Sequence, residues 1–217
     1  RGIDVGLIYQ KDYMKILNSE NLEVSLQSDP DFATRDILYV QAELKNQDEI
    51  HVFLNHWSSR RGGEKETEHK RVKAASVLRA KVDEILNTNS LAKIIILGDF
   101  NDHPTNKSIY ETLNAKGTPD FQNGQLFNMA YKLEKENKGS YNYKGDWGML
   151  DQMIVSEGLY SAEKGVKVAY DKCLVLQKEW MMYTDKKYGD KKPSRSYGGP
   201  NYYGGYSDHL PIYSIFN

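Results

Sequence analysis

Four short segments of this 217-residue chain end apolar runs on side chains that can move protons or hold charge. They are "FLNHWSSR" (53–60), "IIILGDFND" (94–102), "GMLDQ" (148–152) and "GYSDHLPI" (205–212). Between them they offer His56, Ser58, Arg60, Asp99, Asn101, Asp151, Asp208 and His209. Carboxylates can hold a hard cation or take a proton from water. Histidines and amides can stabilise charge on phosphate oxygens. Two histidines among several carboxylates therefore suit phosphoryl chemistry. Aspartate and histidine at strand ends can converge on one edge of a sheet, where ligands bind in open α/β folds.

Each residue also has a plainer reading. Asp99, Asn101 and Asp102 can serve the turn after their strand, since Asp and Asn favour such places. His56 can be a hydrogen-bonded core histidine, and Asp208 a turn residue. Asp151 follows an apolar leader, and a buried acid is costly without a partner, so a histidine partner is expected for it. Asp4 can reach His56 or lie on a solvated face. His51, His69 and His103 read as surface or turn residues, and Trp57, Trp147 and Trp180 as packing residues. Tyr197, Tyr202, Tyr203 and Tyr206 can stack on bases or stiffen their loop.

The elements that must position these groups follow from periodicity. Alternation over residues 3–9 predicts a strand. "MKILNSENLEVSL" (14–26) predicts two short strands around an Asn18–Asn21 turn. "DILYVQAEL" and "EIHVFLNHW" flank "KNQD" and predict a hairpin. Val72, Ala75, Ser76, Leu78, Val82, Ile85 and Leu86 keep helical spacing over 64–87. "KIIILGDF" predicts a buried strand, and Thr105–Leu113 a short helix after Pro104. "GMLDQMIVS" and "HLPIYSIF" predict two further strands. Residues 183–206, rich in Tyr, Gly and Lys, predict a long surface loop. Interleaved strands and helices with added hairpins make a mixed sheet in an α/β or α+β fold.

Composition narrows the partners. The formal net charge of −1 excludes a bulk basic field for nucleic acid, so any polyanion must meet a local patch. The lone Cys173 excludes an internal disulfide and a cysteine metal cluster. No run of about 18 apolar residues occurs, so no membrane span is expected.

The four motifs, in this order and spacing, resemble the endonuclease/exonuclease/phosphatase superfamily, the deoxyribonuclease-I-like fold. The resemblance implies a four-layered α/β sandwich of two mixed β-sheets flanked by helices. It implies that residues 1–217 are the C-terminal two-thirds of a single domain, N-terminally truncated. It implies cleavage of phosphoesters with Mg²⁺ or Mn²⁺, Ca²⁺ being possible. Asp99 then matches the aspartate that activates water, and Asn101 the asparagine that stabilises the transition state. His56 and His209 match the histidines flanking the scissile phosphate, with Asp151 orienting His209. Arg35 matches a phosphate-reaching arginine, Ser58 and Arg60 a phosphate-facing loop, and Asp208 a metal-associated aspartate. The family's first metal ligands, an asparagine and a glutamate, precede the part that "RGIDVGLIY" matches. They are expected upstream of Arg1. The expected function is a metal-dependent phosphodiesterase, a nuclease first. A phosphatase or phospholipase on a small or lipid phosphoester, and an inactive fragment or binding module, are the alternatives. The expected partner is nucleic acid or another phosphodiester. Compartment and oligomeric state stay open, although "NHWSSR" resembles secreted bacterial members.

Overall fold

The computed structural model describes residues 4–26, 34–169, 171–187 and 189–217. One mixed sheet of seven strands organises it, in the order β1-β2-β3-β4-β9-β6-β5. These strands are β1 (Met14–Leu22), β2 (Ile37–Leu44), β3 (Glu49–His56), β4 (Lys93–Asp99), β5 (Ala115–Lys116), β6 (Leu126–Asn128) and β9 (Asp151–Val155). The short pair β7 (Tyr141–Tyr143) and β8 (Asp146–Gly148) precedes β9. After it come β10 (Leu174–Val175), β11 (Met182–Thr184), β12 (Lys191–Pro193), β13 (Tyr197–Gly198), β14 (Asn201–Tyr202) and β15 (Ile212–Tyr213). The helices are α1 (Glu64–Thr88), α2 (Tyr131–Lys135) and α3 (Glu157–Tyr160). No helix among the described residues is long and apolar enough to cross a membrane.

The hairpin β2–β3 forms as its sequence predicts, with Gln47 in the left-handed region of its turn at φ 70°. Helix α1 then carries the chain back, so that β4 joins β3 in parallel. A parallel pair needs such a crossover. The helix presents Arg71, Ala74, Ala75, Leu78, Val82 and Ile85 to the sheet, where Phe53, Ile94, Ile96 and Ile154 meet them. Along β4, Ile94 and Ile96 face α1, while Ile95 and Leu97 pack on the opposite side. Apolar contact on both faces is why "IIIL" shows no alternation.

Several expectations are corrected. Ile3 lies outside the described residues, and residues 4–10 form no strand; Ile8 is fully exposed. A strand exists only through its ladder, and no described residue pairs with this segment. The Asn18–Asn21 turn is absent: those residues continue β1, opposite Gln41, Val40, Tyr39 and Leu38, with an irregularity between Ile16 and Asn18. As an edge strand, β1 tolerates polar residues in mid-strand. The helix over 105–113 is a single π turn at Ser108–Thr112. Residues 183–206 hold most of one hairpin, β11–β12, and all of a second, β13–β14. Ser76 is exposed, whereas Arg71 takes a place on the buried stripe. His51 is buried and bonded to Tyr39 Oη at 2.7 Å, while Trp180 is 61% exposed. A second large sheet is not seen among the described residues, where the remaining strands pair in twos. Pro193, Gly199, Pro200 and Pro211 punctuate that region and limit how far a ladder can run.

Candidate active site

Strand register assembles the site. His56 closes β3 and is the register partner of Asp99, which closes β4. Asp99 is in turn the partner of Asp151, which opens β9. Parity puts all three on the sheet face away from α1, because Leu54, Leu97 and Met153 of the same strands pack there. Gly98 makes the approach possible. Its φ is +136°, and a Cβ there would run into the carbonyl of Asn55 on β3.

The side chains meet at the end of this row. His56 Nε2 lies 3.5 Å from Asp99 Oδ2. His209 Nδ1 lies 2.6 Å from Asp151 Oδ2, so the expected acid–imidazole pair is present. Ser140 supports that pair: its hydroxyl donates to Asp151 Oδ2 at 2.5 Å and accepts the Asp151 N–H at 3.1 Å. The Tyr141 ring lies against the His209 ring at 4.7 Å between centroids. Asn101 adopts a left-handed backbone at φ 51° and grips Asp99 twice. Its N–H donates to Asp99 Oδ1 at 2.8 Å, and its side-chain amide donates to Asp99 Oδ2 at 2.9 Å and to the Trp57 carbonyl at 3.1 Å. The amide of Asn101 is therefore engaged within the turn.

Electrostatics follow from this packing. Burial, and then the neighbouring Asp151 charge, raise the Asp99 carboxyl to about 6, against the opposing effects of His209, the Asn101 N–H and Arg35. Burial alone would depress His209. The hydrogen bond and charge of Asp151, with Asp99 and Asp208 beyond it, override that and raise the imidazole to about 9. Perturbed groups clustered in this way mark functional sites.

The remaining expected residues are placed as follows. Arg35 is near enough to Asp99 to lower its pKa, and its buried Nε finds no hydrogen-bond partner among the described residues. Ser58 donates to Thr34 Oγ1 at 3.3 Å. Arg60 meets Glu64 at 3.2 Å and His103 Nε2 at 3.1 Å. Asp208 is half exposed and paired with Arg195 at 3.5 Å. Asp4 is exposed and accepts the N–H of Val5.

Two supporting pairs escaped the sequence reading. Arg71, fully buried on α1, sits with Nε 2.6 Å from Oδ1 of buried Asp102, three residues after Asp99. The N–H is not aimed at that oxygen, so the attraction is mainly between charges. Ser108 donates to Asp102 Oδ2 at 2.5 Å. Burial raises the Asp102 carboxyl despite Ser108 and Arg71. An arginine in register with Ala74, Ala75 and Leu78 was the available signal. His103, expected at the surface or in a turn, lies in the turn after β4 between Arg60 and Glu134, its Nδ1 2.9 Å from Glu134 Oε1.

Polar atoms of Asp99, Asp151 and His209 lie within 4.8 Å of one another, and with His209 held as imidazolium it is the two carboxylates that can ligate. Two facing carboxylates whose burial and mutual repulsion raise a pKa fit a divalent cation. They supply part of its oxygen shell, since Mg²⁺ takes about six ligands.

A profile of the Endonuclease/Exonuclease/phosphatase family matches residues 1–217. The chain belongs to that family. Endonuclease/exonuclease/phosphatase members are metal-dependent phosphoester hydrolases. No curated protein matches by sequence. Among solved structures, the human Nocturnin catalytic domain with bound sulfate anion superposes with a TM-score of 0.57 at 18% identity, over 96% of this chain and 62% of that one. D. rerio TDP2 complexed with single strand DNA product gives 0.55 at 16%, over 95% and 70%. A mannosyl-6-phosphatase from Bacteroides thetaiotaomicron VPI-5482 gives 0.53 at 18%, over 96% and 69%. At these identities the likeness is one of fold. The chain spans between three-fifths and three-quarters of those relatives' lengths.

Proposed function

We propose that this chain carries the reaction centre of a divalent-metal-dependent phosphodiesterase, and that its substrate is nucleic acid. The supporting observation is the register row His56–Asp99–Asp151 with His209 bonded to its end. Asp99, with a pKa near 6, is ionised at neutral pH yet basic enough to take a proton from water. Asn101 keeps the carboxylate aimed. The water oxygen bonds to phosphorus as the bond to the leaving oxygen breaks. The His209 imidazolium, held charged by Asp151, stabilises the phosphate oxygens and can return a proton to the leaving group. His56 and Arg35 add positive charge, and Arg60 and Ser58 border the phosphate path. Asp99, Asp151 and Asp208 are the carboxylates on hand for Mg²⁺ or Mn²⁺. When bound, the ion would neutralise charge on the phosphate oxygens. The four-layered sandwich belongs to this proposal as the architecture of the complete family domain.

The test is hydrolysis of single-stranded DNA, plasmid DNA, sphingomyelin and an inositol phosphate by the protein with Mg²⁺ or Mn²⁺. Asp99→Asn should lower kcat on the preferred substrate by about 10²-fold or more. Equal turnover in that variant would sink the assignment. Preference for the lipid or inositol substrate would favour the phosphatase or phospholipase reading, which the net charge of −1 supports.

A further inference from the structure

Six large aromatic side chains stand exposed within residues 180–206: Trp180 at 61%, Tyr183 at 41%, Tyr197 at 62%, Tyr202 at 69%, Tyr203 at 63% and Tyr206 at 65%. Each could bury about 150–250 Å², and a folded protein rarely leaves so much apolar ring surface grouped and open without a use. Four of them pack in pairs. Tyr197 and Tyr202 face across β13–β14 with centroids 5.1 Å apart, and Trp180 meets Tyr206 edge to face at 4.9 Å. Beside them is a cavity of about 370 Å³, lined by Tyr183, Ser194, Arg195, Gly198 and Tyr203.

This cavity is built onto the reaction centre. The Ser194 carbonyl accepts the N–H of Tyr206 at 2.6 Å and of Ser207 at 3.1 Å. Arg195 in its wall pairs with Asp208, the residue before His209. Arg195 also hydrogen-bonds Tyr141, whose ring lies against His209. Ser207 Oγ accepts the His209 N–H at 3.1 Å. A ligand whose phosphate reaches His209 thus has ring-lined space alongside it. Charge selects among rings. Among the described residues that line the cavity, Arg195 is the cation; it is 40% exposed and paired with Asp208 at 3.5 Å, while Lys191 and Lys192 of β12 pair with Glu179 and Asp185. The surface therefore suits stacking with one phosphate contact better than tracking of a polyanion backbone. Base–aromatic stacking is tolerant of sequence and does not need a basic groove.

We propose that the β11–β14 hairpins form a nucleobase-stacking subsite that takes the base next to the scissile phosphate of a single-stranded substrate. Tyr203 is the main stacking surface and Arg195 the contact to the adjoining phosphate. This rests on the nucleic-acid reading above. The test is equilibrium binding, in EDTA, of a short single-stranded oligothymidylate and of an abasic sugar–phosphate chain of equal length. Trp180 fluorescence and anisotropy of a labelled oligonucleotide report binding. The base-bearing strand should bind about tenfold tighter or more. The preference should collapse in Tyr203→Ala and persist in Tyr203→Phe. Where Tyr203→Ala does not fold, by circular dichroism, Tyr202→Ala takes its place and should reduce the preference. Equal affinity for the two chains, a preference unchanged in the alanine variant, or tighter binding of mannose 6-phosphate than of the oligonucleotide overturns the proposal. Hydrolysis of bis(p-nitrophenyl) phosphate, which carries no base, tests the reaction centre separately. Activity there with no base preference would remove the subsite and leave the phosphodiesterase.

Discussion

At the scale of single residues, the site depends on a charge balance between Asp99, Asp151 and His209. His209 owes its raised pKa, about 9, to Asp151 against the opposing effect of burial. Asp151→Asn removes that charge while keeping the shape. The imidazole should then titrate at least one unit lower, measured by NMR of its ring protons. If activity follows the proposed mechanism, kcat should fall by about 10²-fold with KM little changed. An unshifted titration would place the imidazolium's support elsewhere. Stability carries the same signature. A histidine raised from 6.5 to about 9 contributes stability fully present below pH 6.5 and lost as pH rises through 9. The gap in Tm between the native chain and Asp151→Asn should therefore be widest near pH 6 and narrow toward pH 9.5. A gap constant over that range would show that the pair is not held by charge.

At the scale of elements, the turn after β4 is held from behind by α1. Arg71 and Asp102 are both removed from water, so breaking the pair leaves one charge buried and alone. Arg71→Met should cost about 3–5 kcal/mol, read by urea denaturation. Arg71→Met with Asp102→Leu should recover a large part of that loss, since matched apolar replacements of buried pairs are often tolerated. A double variant no better than the single would mean that the turn needs the ions for its shape. This pair also shows where sequence reading stopped. The elements with strong periodicity, the β2–β3 hairpin, α1 and β4, were legible because burial on a defined face writes itself into residue order. So was a histidine partner for Asp151, because an acid after an apolar leader needs one; His209 as that partner came from the family resemblance. Arg71 went unmarked, because a charged residue on an apolar stripe declares itself only once its partner is known. Residues 4–10 carried a strand's alternation without a ladder to complete it. The hairpins of 182–202 hid behind Gly, Pro and Tyr, whose pairing depends on backbone contacts more than on side-chain pattern.

At the scale of the whole molecule, near-neutrality limits how the protein can hold a nucleic acid. A partner gripped through 6–10 phosphates loses about 10³–10⁵ in affinity between 50 and 200 mM salt. With a net charge of −1, and with the β12 lysines paired, this chain should lose less than about tenfold for a single-stranded oligonucleotide over that range. A steep salt slope would reveal a basic track.

The row that joins β3, β4 and β9 has a further consequence, for the order in which the molecule comes into being. Its members stand at positions 56, 99, 151 and 209, so no stretch of neighbouring sequence contains the site. The β2–β3 hairpin can close locally, but His56 meets Asp99 only after α1 has folded back and β4 has docked. His209 arrives last, with the C-terminal segment. Contacts so distant in sequence form slowly, after the loops between them are closed. During synthesis the proposed reaction centre is therefore completed only once residue 209 has emerged. A chain stalled or clipped before residue 209 holds most of the core and lacks the imidazolium.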